Sequence, residues 1–275
     1  MATFLGICIT AIVAWFVILQ SRRYQREKLF QKRLPPGWIR ILEKHVPLYA
    51  LLPGDLRQTL HGCINLFLGE KEFIGCAGME ITDEVRLTIA GNACILLLKQ
   101  DNPRYTGFTS ILVYPETYVA NEIRYDGLVE VHQQTARAGE SWHRGPVVLA
   151  WENILQDRLA HQKGHNVILH EFAHKLDEEN NIMDGLPILR SSEDYKEWSE
   201  VLRKEFRELQ ERVHEGSNTV LDGYGTVSPP EFFAVATESF FEKPVQMKTR
   251  LPELYEQLRK YFGLDPASWK PAGMH

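Results

Sequence analysis

The stretch NVILHEFAHKLDEENN, residues 166–181, limits what this chain can fold into more than any other segment. His170 and His174 stand four apart with Glu171 directly after the first, among Val167, Ile168, Leu169, Phe172, Ala173 and Leu176. No proline or glycine interrupts 167–179, Asn166 is a good N-cap, and the apolar positions make one buried face, so the pattern predicts a core helix. Residues four apart on a helix are neighbours, with β-carbons about 5–6 Å apart. Both imidazoles can therefore meet one ion at the roughly 2.0–2.1 Å of a zinc–nitrogen bond. Two histidines and two carboxylates, Glu171 and Asp177, in so apolar a helix need partners, and a metal ion would satisfy several at once.

A catalytic zinc takes three protein ligands and leaves one position open for water. The longer motif that continues with a glycine and a third histidine fails here, because Asp177 and Asn180 occupy those positions. A carboxylate from a later helix remains. In GYGTVSPPEFFAVATESFFEKP, residues 223–244, Ser228 can cap a helix with Pro229 or Pro230 in its first turn. That helix carries Glu231 and Glu238, seven apart and on one face. Ser228-x-x-Glu231 also fits a capping box, so spacing makes one glutamate a ligand and the other an outer support without choosing between them. Glu171 lies about a third of a turn from His170, placed to act as a general base rather than as a ligand. Asp177, three residues beyond His174, is a candidate to hold an imidazole in one tautomer.

The rest of the chain sets the frame. With 275 residues, 44% apolar and 24% charged, it reads as folded, and a net charge of −5 argues against nucleic acid as a partner. The four cysteines match neither a zinc ribbon nor a disulfide framework and read as reduced thiols. At the N-terminus, FLGICITAIVAWFVIL (4–19) is uncharged and is followed by Arg22, Arg23, Arg26, Lys28, Lys32 and Arg33. The run is close to the roughly 17–25 residues of a bilayer-crossing helix, its basic flank favours the cytoplasmic side, and it lacks the leader and cleavage site of a signal peptide. The expectation is a transmembrane anchor over 1–20, a basic linker over 21–36 and a domain over 37–270 on the cytoplasmic side of the membrane, with a soluble cytoplasmic chain as the alternative.

Within that domain, Asp55 and Thr82 (or Asp83) are expected to cap core helices. Short β-forming runs follow at 108–115, 117–125, 128–133 and 145–151, with RAGESW (137–142) as a loop or hairpin turn. The last run, GPVVLAW, is a candidate edge strand beside the cleft for an extended substrate, with a core strand as the equal alternative. His143 and His165 read as surface histidines near the site. A charged helix over 191–216, capped by Ser192, reads as scaffold. Helices, then a small sheet, then helices indicate one α+β domain.

GHNVILHEFAHKLD, followed after about fifty residues by YGTVSPPEFFAVATESFFEKP, resembles the MtfA family of zinc peptidases, as do LVYPETYV and GESWHRGPVVLAW. The resemblance spans about 55–265. It implies a zincin-like metallopeptidase domain with a small sheet, an active-site helix and a C-terminal helical part. It further implies Zn2+ held by His170, His174 and Glu231, and Tyr224 facing the metal to donate to an oxyanion. The Tyr-x6-Glu relation is similar to that in the catalytic domain of anthrax lethal factor. Glu238 then joins Asp177 in the outer support. The implied activity is hydrolysis of peptide or protein substrates, aminopeptidase-like, by a zinc-bound water with Glu171 as base. The implied alternative is a regulatory protein that sequesters a transcriptional repressor, with zinc mainly structural. The apolar N-terminus departs from the family's cytosolic members.

Overall fold

The computed structural model describes residues 2–270 except 101, 127–128, 138, 142–144 and 162, and the backbone alone over 2–12 and 118–141. Among the described residues no helix is long and apolar enough to cross a membrane. That overturns the expected anchor over 1–20, the single-pass location and the membrane as a partner. The first helix, α1 (Ala2–Phe30), runs unbroken through most of the basic segment that was expected to be a linker. Its uncharged run ends at Leu19, and Arg22 and Arg23 follow within one turn. The whole uncharged run over 4–19 would rise only about 24 Å as a helix, short of the roughly 30 Å of hydrocarbon. Its far end docks on the protein instead: Arg26 bridges Glu70 at 3.0 Å and donates to the carbonyl of Pro103 at 3.2 Å.

LPPGW ends this helix as its prolines require, and α2 (Pro36–His45) starts with Pro36 in its first turn. A short α3 (Pro47–Leu51) leads into α4 (Gly54–Glu70), against which Phe30 packs at Gly62. Asp55 is not a cap but sits in the first turn of α4, where a carboxylate complements the helix dipole. Thr82 does cap α5 (Asp83–Ile95), accepting the Val85 N–H at 3.3 Å.

The sheet is small. Strands β1 (Glu72–Gly75) and β2 (Ser110–Tyr114) pair in parallel. A separate antiparallel hairpin of β3 (Tyr118–Asp126) and β4 (Val129–Arg137) follows. Then β5 (Gly139–Ser141) and β6 (Val147–Ala150) complete a sheet of order β1-β2-β6-β5, with β6 parallel to β2 and β5 antiparallel to β6. In register, Ile111 faces Val147 and Val113 faces Leu149, and all four are fully buried. Strand β6 is buried at every position, as a continuous apolar run between two neighbours demands. Of the two readings of GPVVLAW it is therefore the interior strand and not the edge. The edges are β1 and β5, the latter inside what was expected to be a loop or hairpin turn.

After α6 (Trp151–Leu159) comes α7 (Val167–Asp177), the HEFAH helix, which packs on β5, β6 and α5. Phe172 anchors it, with ring centroids 5.6 Å from Phe67, 4.8 Å from Tyr105 and 6.0 Å from Phe108. The charged α8 (Ser192–His214) is capped by Ser191 rather than Ser192, and it buries Trp198 and Leu209 as a scaffold helix. Against the other side of α7 lies α9 (Pro229–Glu242), and α10 (Pro244–Arg250) and α11 (Pro252–Phe262) close the C-terminal helical part.

Candidate metal centre

Two capped helix starts aim the site. Asn166 Oδ1 accepts the Leu169 N–H at 3.2 Å and starts α7, while Ser228 Oγ accepts the Glu231 N–H at 3.4 Å and starts α9 behind Pro229 and Pro230. With the two helices packed together, His170 and His174 face Glu231 and Glu238. His170 Nε2 lies 3.2 Å from His174 Nε2 and 3.0 Å from Glu231 Oε2, and His174 Nε2 lies 3.5 Å from the same oxygen. Ligand atoms around a tetrahedral zinc stand roughly 3.3 Å apart, so His170, His174 and Glu231 form a group able to hold a metal ion.

Glu238 stands on the other side of the first imidazole. Its Oε1 accepts from His170 Nδ1 at 2.8 Å and its Oε2 accepts the Asn166 N–H at 2.6 Å. A carboxylate accepts only, so it places a proton on Nδ1 and turns Nε2 toward Glu231. In the metal-free chain burial opposes charge on His170, but hydrogen bonds to Glu231 and Glu238 outweigh it and raise its pKa well above the usual value. His174 goes down, chiefly by burial. Burial would raise Glu231, yet its hydrogen bonds to the two histidines bring it to about 2. Metal binding at Nε2 would take the place of the proton that the metal-free His170 shares with Glu231.

Glu171 is buried, its pKa is pushed up to about 8 by that burial, and its Oε2 meets no hydrogen-bond partner among the described residues. A buried carboxyl with an open oxygen beside three convergent ligand atoms fits a site built around a metal and its water. Tyr224 sits in a single turn over Gly223–Thr226, held by Asp222 Oδ1 accepting its N–H at 2.7 Å. Its ring is 6.0 Å from that of His170 and half exposed, at the mouth of the site.

Asp177 does not meet an imidazole. Its Oδ2 accepts the Gly185 N–H at 2.8 Å, tying down the loop after α7, and its Oδ1 is buried with no hydrogen-bond partner among the described residues. Burial pushes its pKa from 3.8 to about 7. Between those values the folded chain keeps a proton that the unfolded chain has released, so this group lowers stability as pH rises from about 4 to about 7 and adds nothing further above. The slope is at most about 1.4 kcal/mol per pH unit. In urea unfolding of the metal-free protein at pH 4, 5.5 and 7, Asp177→Asn should gain on wild type as pH rises. Parallel curves would refute this account.

His165 is half exposed and pairs with Asp222 at 3.4 Å; His143 lies outside the described residues. Sequence reading passed over Glu242, Asn92 and His161, which line the back of the site. For Glu242 the signal was present, since it follows Glu238 by one turn on the same face of α9.

Residues 19–263 match the family described as glucose-regulated metallo-peptidase M90. An uncharacterized protein of Synechocystis sp. is 44% identical over 245 residues, covering 88% of this chain and 89% of that protein. The Mlc titration factor A of Escherichia coli O127:H6 is 31% identical over 245 residues, or 88% of this chain and 90% of that protein. For the Mlc titration factor A of Pectobacterium atrosepticum the figures are 32% over 225 residues, 80% and 84%.

Proposed function

Since the chain belongs to the glucose-regulated metallo-peptidase M90 family, we propose that it hydrolyses peptide bonds at a zinc ion held by His170, His174 and Glu231. The observation that carries this is the convergence of those three ligand atoms beside the buried, open carboxyl of Glu171. Two imidazoles and one carboxylate are a common donor set for catalytic zinc. When bound, the metal supplies Lewis-acid activation of water and of the scissile carbonyl. Glu171 takes the proton from the attacking water and passes it to the leaving amine, work suited to a carboxyl whose burial has raised its proton affinity. Tyr224, at the mouth, donates to the oxyanion that forms on the carbonyl. Glu238 holds Nδ1–H of His170 so that Nε2 stays turned toward the ion. Aminopeptidase-like trimming of chain ends is the finer form of this proposal, and it rests on the resemblance to the MtfA family.

Metal analysis of the purified full chain, run beside a peptide-library cleavage assay, tests the proposal. One zinc per chain and cleavage that a chelator abolishes and zinc restores are the expected results. A zinc-loaded chain that cuts nothing in the library would sink it and favour a second function. The relatives called Mlc titration factor A are named for titrating Mlc. By likeness to them, this chain would bind a transcriptional repressor, with the metal mainly holding the surface in shape. Binding of a repressor that survives Glu171→Gln would establish that function independently of hydrolysis.

A further inference from the structure

Behind His170, on the side away from Glu231, runs a chain of buried polar groups that the hydrolysis does not use. Glu242 is buried in α9, with Oε1 accepting from Asn166 Nδ2 at 3.0 Å and Oε2 2.6 Å from His161 Nδ1. Asn92 of α5 accepts from the same Asn166 amide at 3.2 Å. Asn166 is therefore held by two side chains at Nδ2, while its Oδ1 caps α7 and its backbone N–H donates to Glu238 at 2.6 Å. Glu238 in turn takes His170 Nδ1 at 2.8 Å. The outer end of the chain is His161, whose side chain is 21% exposed.

Capping α7 requires only the Oδ1 of Asn166. Asn92 and Glu242 are buried and hydrogen-bonded, as buried polar groups must be, and both bonds fall on the same Asn166 amide. A small-molecule site is excluded, because the adjoining cavity is about 10 Å3, room for one water at most. What the extra bonds do restrain is the backbone N–H of Asn166, and through it the carboxylate that sets the plane of His170.

We propose that Glu242 and His161 are positioning residues for the metal centre, acting through Asn166 and Glu238 to fix the His170 imidazole, which rests on the metal-site reading above. They touch neither metal nor substrate. Their removal should loosen the ion and lower kcat while leaving KM unchanged.

The test is zinc affinity of the full chain, by competition with a chromophoric chelator. Glu242→Leu should weaken zinc by roughly tenfold, the low end of what outer partners of a metal ligand cost. Glu242→Gln keeps an acceptor for Asn166 and offers an N–H to neutral His161, so it should restore affinity to within about twofold of wild type. His161→Ala, at the partly exposed outer end, should show a smaller loss in the same direction and decides the matter if Glu242→Leu does not fold. A Glu242→Leu that folds and binds zinc as tightly as wild type overturns the proposal, as does a His161→Ala without loss, or a Glu242→Gln as weak as a folded Glu242→Leu. Wild-type chain that binds no zinc overturns the metal site itself and this proposal with it.

Discussion

Glu171→Gln should keep its zinc and its fold while peptide hydrolysis falls by about two to four orders of magnitude, the usual worth of a positioned general base. The amide fills the same buried space beside His170 and His174, so neither packing nor the ligand set changes. What it loses is the ability to take a proton. Wild-type Glu171 is buried beside the two histidines, and that burial raises its pKa to about 8 in the metal-free chain. The measurement is kcat/KM on a cleaved peptide together with zinc content and melting temperature of both proteins. Full activity in the variant would show that another group is the base. A loss of zinc would show Glu171 to be part of the ligand set.

Removing each glutamate of α9 should have unequal consequences. Glu231 Oε2 lies 3.0 and 3.5 Å from the two Nε2 atoms, whereas Glu238 meets only the far nitrogen of His170 and commits its second oxygen to a backbone N–H. Glu231→Ala takes away one of the three proposed ligand atoms. It should weaken zinc by far more than the roughly 10–100-fold typical of losing an outer partner, and abolish hydrolysis with it. Glu238→Ala should fall within that smaller range. Chelator competition on the two variants gives the order directly, and the reverse order would exchange the roles of the two residues.

Why spacing alone left Glu231 and Glu238 equivalent is now clear in physical terms. Seven residues apart, they share a face of α9, and nothing in the helix itself says which will stand opposite which nitrogen of His170. The packing of α9 along α7 decides it, setting Glu231 on the Nε2 side and Glu238 on the Nδ1 side. Asp177 shows the opposite error. Three residues past His174 it is near the histidine along the helix, but the chain returns at Gly185 with a backbone N–H that its carboxylate accepts. The apolar N-terminal run was misread because a hydrophobic run signals a membrane span only when it is long enough, and this helix turns basic and docks by Arg26 on Glu70. In the same way VVLA reads as a strand from its residues, while only the pairing with β2 and β5 shows it to be interior.

Read by itself, the sequence determined what periodicity and capping control. It placed a buried helix with His170, Glu171 and His174 on it, capped by Asn166, and a second helix starting at Ser228 behind two prolines. These are local features, written within a few turns of chain. The tertiary structure alone decided which carboxylate faces which imidazole nitrogen, which strand lies at the sheet edge, and that Glu242, Asn92 and His161 gather behind His170. Those depend on contacts between residues up to 81 positions apart, and no pattern confined to one helix can encode which surfaces of two helices will meet.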